Sequence, residues 1–161
     1  MSQKLSTSEV ETLKSRFRAA GCEVTDLDDT TFEIVGRDFP VRTHVTVNPY
    51  YVQLATFIFG SPRGLLLPNR KSKIHAYLCD INRNAKLVKF TLEGDKPNPE
   101  KGGWPIFASV KLVTGVEGGN YTAEALNNLV LLWLQDIAEL FASPGGFALR
   151  TLMRQKDPND G

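Results

Sequence analysis

Apolar and polar residues recur along this chain with two periods, and the change from one to the other outlines its elements. Ile74, Tyr77, Leu78 and Ile81 fall at the i, i+3, i+4, i+7 spacing of one helical face. Asp80, Asn82, Arg83 and Asn84 then favour a turn. Val88, Phe90 and Leu92 follow with period two, the spacing of a half-buried strand. This helix-to-strand unit is the reference for the rest of the chain.

Towards the N-terminus, Val10, Leu13, Phe17 and Ala20 form a helical face over residues 7 to 20. Ser6 and Glu9 have capping-box spacing, with Ser8 and Glu11 as the competing register, and Gly21 is a stop. Short strands are predicted at 22 to 27 and 31 to 36, joined by Asp28, Asp29 and Thr30. Val41, Thr43, Val45 and Val47 alternate with Arg42, His44 and Thr46 to give the clearest strand. The strand at 51 to 59 is apolar on both faces, with Val52, Leu54 and Ile58 on one and Tyr51, Phe57 and Phe59 on the other. Such a strand asks for a second covering layer, a dimer partner or a ligand.

Pro68 and Asn69 suit the start of a helix over 69 to 83. A strand at 87 to 93 is followed by a turn-rich connection, Gly94 to Pro105, and a strand at 106 to 112. Thr122 is a good N-cap for the longest helix, 123 to 141. Its core stripe is Leu126, Leu129, Val130, Trp133, Ile137, Leu140 and Phe141. Leu131 and Leu132 lie off that stripe, at roughly 140° and 240° from Leu126, and make a candidate dimer contact. Residues 1 to 156 are expected to form one domain and 157 to 161 a disordered tail. Short turns between strands imply antiparallel pairing. The expected class is α+β, order α-β-β-β-β-α-β-β-α, with helices packed on a twisted, mainly antiparallel sheet.

Several of these motifs resemble the YbjN family, which is grouped with type III secretion chaperone-like folds. They are the helix end Ile81-Asn82-Arg83-Asn84, the strands at 86 to 92 and 109 to 113, the Gly118-Gly119 loop, and Thr122-Ala123-Glu124-Ala125-Leu126 opening the long helix. The resemblance implies a protein-binding or chaperone-like regulatory module, often dimeric and of bacterial type, with no catalytic residues to carry over.

Composition adds exclusions. A net charge of +1 over 161 residues gives no global attraction to nucleic acid or anionic membrane. The apolar runs are short of the ~20 residues that span a bilayer. No apolar signal region follows Met1 to Leu5, so a cytoplasmic protein is the expectation. Nucleic acid is also disfavoured because the aromatics are not interleaved with basic residues. The glycine stretches at 60 to 64 and 102 to 103 lack the Lys-Ser/Thr ending of a phosphate loop, and no cofactor is expected.

Two candidate chemistries stand against each other. His75 and Cys79, at i and i+4, together with His44 and Cys22, are the only His and Cys of the chain and suggest a small metal- or thiol-dependent enzyme. No family-specific sequence surrounds either cysteine, and free thiols suit a reducing compartment. The favoured reading is non-enzymatic binding of a protein or peptide, through Tyr51, Phe57 and Phe59 rimmed by Arg42 and His44. A helix covering these aromatics, with Phe17 against them, is the alternative at that face. No Asp or Glu lies between Asp38 and Asp80, and the basic segment from Arg63 to Lys73 is a candidate anion contact at a helix start that disfavours cations.

Overall fold

Each amphipathic stretch forms the element its period predicts. The computed structural model describes residues 7–36, 41–48, 50–62, 70–113, 123–142 and 146–147. The elements are α1 (Thr7–Ala19), β1 (Cys22–Asp26), β2 (Thr31–Gly36), β3 (Thr43–Val47), β4 (Tyr51–Gly60), α2 (Lys71–Asn84), β5 (Lys89–Leu92), β6 (Trp104–Val113) and α3 (Ala123–Ala142). This is the expected α-β-β-β-β-α-β-β-α order. β6 starts at Trp104, two residues earlier than Ile106, because Glu93 donates its amide to the Pro105 carbonyl and pairs that stretch. The expected caps at Ser6 and Thr122, the helix start at Pro68 and Asn69, the Gly118-Gly119 loop and the tail at 157 to 161 lie outside the described residues.

The strands form one six-stranded sheet in the order β1-β2-β3-β4-β6-β5. The first four pair antiparallel, with Val24 opposite Ile34, Phe32 opposite Val45, and Val45 opposite Leu54. Period two therefore sorts the residues cleanly, since a slip of one would exchange the faces. Two compact units can be distinguished: Met1–Thr56 with Ser109–Leu134, and Phe57–Ala108 with Gln135–Gly161.

In the first unit the core holds Val10, Leu13 and Phe17 of α1, Phe32, Ile34, Val45 and Leu54 of the sheet, and Leu126, Val130 and Trp133 of α3. Phe17 meets Phe32 edge-on, with ring centroids 5.8 Å apart. Lys14 is a buried exception, its ammonium held by Asp26 at 2.8 Å and Glu11 at 2.9 Å. The β1–β2 turn is tied by Asp28, whose carboxylate accepts the amides of Thr30 and Thr31 at 2.8 Å each.

In the second unit Ile74 and Leu78 of α2, Ile58, Phe90, Ile106 and Ala108 of the sheet, and Ile137, Leu140 and Phe141 of α3 are buried. The Tyr77 hydroxyl donates to the Leu140 carbonyl at 2.7 Å, joining α2 to α3. Asp136 is buried too, and its carboxylate accepts the amides of Lys86, Leu87 and Val88 at 3.1, 2.7 and 3.0 Å.

Candidate binding surface

Alternation along β4 sets which aromatics are available. Ile58 is 1% exposed whereas Phe57, next to it, is 56% exposed. On β6 the same alternation buries Ile106 and Ala108 and leaves Phe107 half-buried between them. The Phe57 and Phe107 rings meet with centroids 5.0 Å apart and planes tilted by 45°. An exposed ring braced by a second ring is a pre-shaped apolar platform that costs little side-chain entropy to use.

The connection before β6 sets a cation over another β4 aromatic, Phe59. Asn98 exchanges both backbone hydrogen bonds with Gly103, at 2.8 and 2.9 Å, and its side chain accepts the Glu100 amide at 3.1 Å. The turn-rich connection thus has a tight turn at its tip. Gly103, at φ +130°, passes so close to Gly60 that a Cβ there would lie 2.3 Å from the Gly60 carbonyl oxygen. Ser61 fastens the approach by donating to the Gly102 carbonyl at 3.1 Å. This turn holds the Lys101 ammonium 5.1 Å from the Phe59 ring centroid.

The remaining expected site residues belong to the first unit. Tyr51 lies under the Lys111 ammonium, 4.9 Å from its ring centroid. His44 stands opposite Ala55 and meets the Glu33 carboxylate at 3.6 Å. The physical reason is the antiparallel register, which sets Glu33 of β2 directly across from His44. Arg42 is exposed, and its carbonyl accepts the Thr56 hydroxyl at 2.7 Å. Phe17, the α1 residue of the alternative reading, packs edge-on against Phe32.

On the proposed dimer helix, Leu131 is 56% exposed and Leu132 half-buried. Cys22 is buried, which pushes its thiol pKa up by desolvation. Cys79 and His75 are exposed on α2. Among the described residues no group of three or more His, Cys, Asp or Glu side chains is placed to hold a metal ion. At the basic segment, Lys71 is ion-paired with Asp95, whose carboxyl is held below its ordinary range by that ammonium. This neighbour offsets the cost of a cation at the start of α2 without a bound anion. Arg63 lies outside the described residues.

Two polar residues matter more than the sequence suggested. Asn82 donates to the Phe90 carbonyl at 2.8 Å and accepts its amide at 2.7 Å. Asp136 gathers three consecutive amides, as above. A signal for it was present: it lies three residues after Trp133 and seven after Leu129, on the core stripe of α3, where a carboxylate must find partners.

No helix among the described residues is long and apolar enough to cross a membrane. No protein-family model matches the sequence. No curated protein matches it significantly. Among solved structures, the crystal structure of YbjN from E. coli, a candidate transcription regulator, is similar over 84% of this chain and 90% of that one, with a TM-score of 0.57 at 15% identity. The chain has a YbjN-like α+β fold, the architecture that its helix-end and long-helix motifs resembled.

Proposed function

We infer that this chain is a non-enzymatic regulatory module that binds a protein or peptide, with the aromatic platform of its second unit as the contact. The observation that carries this reading is Phe57, a large apolar ring left 56% exposed while braced at 5.0 Å by Phe107. Exposed aromatics set in a rigid strand supply much of the energy at protein interfaces. The description of the similar E. coli protein as a candidate transcription regulator supports a regulatory role.

Stacked nucleotides are the competing occupant of an aromatic sheet surface. Charge argues against them. Between residues 89 and 101, Lys89, Lys96 and Lys101 are matched by Glu93, Asp95 and Glu100, so no basic groove tracks a phosphate backbone. A segment with apolar anchors suits the platform, and an acidic flank would meet Lys101. The module is proposed to act in the cytoplasm as a homodimer through Leu131 and Leu132 of α3.

Affinity capture from native extract with the parent chain and with Phe57→Ala tests this reading. The variant should lose partners that the parent retains, while its melting temperature falls by less than the ~3–5 kcal/mol cost of emptying a closed aromatic site would give. Equal capture by both chains removes the platform from the binding role. Light scattering checks the assembly, because a concentration-independent mass near 17.9 kDa removes the dimer. Stoichiometric zinc by elemental analysis would favour the metal-dependent alternative.

A further inference from the structure

We propose that Asn82 closes the outer edge of β5 to pairing with another polypeptide strand, a second copy of this chain included. Asp136 extends the closure to the Val88 amide.

Among the described residues β5 ends the strand order, with a strand neighbour on one side only. Unpaired edges of this kind recruit other chains. Backbone groups of successive strand residues point to alternate sides. The Glu93 amide reaches the Pro105 carbonyl of β6, so Phe90 and Val88, at odd spacing from it, direct their groups outward. Three of those four groups are held by side chains. The Asn82 amide donates to the Phe90 carbonyl at 2.8 Å and accepts the Phe90 amide at 2.7 Å. These two bonds are the pair that an antiparallel neighbour would exchange with Phe90. The Val88 amide is held by Asp136 at 3.0 Å, and Leu87 and Lys86 beside it by the same carboxylate. The end of α2 thus stands in for a missing strand.

The geometry explains why an asparagine sits there. A primary amide offers a donor and an acceptor on the same planar group at the spacing of a peptide, which an ionised carboxylate does not. An aspartate could accept from the Phe90 amide but not donate to its carbonyl.

The test uses the full chain with Asn82→Ala and Asn82→Asp, followed by sedimentation over a wide range of concentrations. Asn82→Ala frees both Phe90 groups and should tighten self-association about tenfold relative to the parent, the effect of roughly one net hydrogen bond per exchanged pair. Asn82→Asp should fall between the two. Hydrogen exchange at the Phe90 amide separates closure from mere support. Closure predicts fast exchange in dilute Asn82→Ala and protection as concentration rises. Support alone predicts fast exchange at every concentration. If Asn82→Ala does not fold, Asn82→Asp carries the test. The proposal is overturned if the folded variants keep the parent's association constant and Phe90 exchange does not respond to concentration.

Discussion

The indole N–H of Trp133 donates to the hydroxyl of Thr43 at 2.9 Å, ninety residues away in sequence and inside a core where both are buried. The same hydroxyl donates to the Val41 carbonyl at 3.4 Å, so one side chain serves α3 and the entry to β3 together. A buried polar pair of this kind is costly to half-remove. Thr43→Val leaves the indole unsatisfied and should lower unfolding stability by about 1–3 kcal/mol. Adding Trp133→Phe removes the orphaned donor, so the double variant should lose less than the sum of the two single ones. A double-mutant cycle by denaturant unfolding measures this, and strict additivity would contradict the coupling.

Asp136 is the heavier case. The amides of Lys86, Leu87 and Val88 all converge on its carboxylate. Asp136→Ala should cost about 3 kcal/mol, since the Val88 amide in particular is left buried without an acceptor. Asp136→Asn keeps one oxygen but turns an NH2 towards amide donors, so it should be destabilising as well. A variant with unchanged midpoint in urea would show that water replaces the carboxylate freely.

Gly103 and Gly21 both hold positive φ, and their neighbourhoods separate strain from collision. At Gly21 (φ +92°) an added Cβ meets nothing within 4 Å, so Gly21→Ala should cost only the ~1–2 kcal/mol of left-handed backbone. At Gly103 the added carbon meets the Gly60 backbone, which cannot swing aside as a side chain would. Gly103→Ala should therefore cost distinctly more and release Lys101 from Phe59. Thermal melts of both variants decide, and equal losses would mean that the close approach is not a constraint.

Lys14 sets a pH dependence. Hydrogen bonds to Asp26 and then Glu11 raise its pKa above the ordinary 10.5, against the opposing effect of burial. The folded ammonium keeps its proton more tightly than the unfolded one. Its contribution is therefore complete below pH 10.5 and is lost as pH rises through the higher folded value. The stability difference between the parent and Lys14→Met should stay level from neutral pH upward and shrink only in that alkaline range. A difference already shrinking near pH 8 would mean that the pairing does not tune this lysine.

The thiols should separate by reactivity. Cys79 is exposed, whereas Cys22 is 7% exposed with its pKa pushed up by desolvation. One thiol per native chain should react promptly with an aromatic disulfide reagent, and the second only on unfolding. Cys22→Ser and Cys79→Ser should each leave capture of the partner intact. Loss of capture by a folded variant would point instead to thiol chemistry.

The periodic stripes determined most of the architecture. Leu126, Leu129, Val130, Trp133, Ile137, Leu140 and Phe141 are all buried, as the spacing of α3 required, and Phe32 and Ile34 share the core face of β2. Burial of apolar area acts along each element with its own repeat, so a single chain records it. Hydrogen-bond partners have no such local record. That Asn82 would fold back on Phe90, that Asp136 would gather Lys86 to Val88, and that Glu33 would meet His44 depended on which elements came together. The same holds for the surface. Both periodic faces of β4 read as apolar, and only the packing decided that Ile58 is enclosed and Phe57 is not. Amphipathic period is a property of each element alone, whereas exposure and polar pairing are properties of the space between elements.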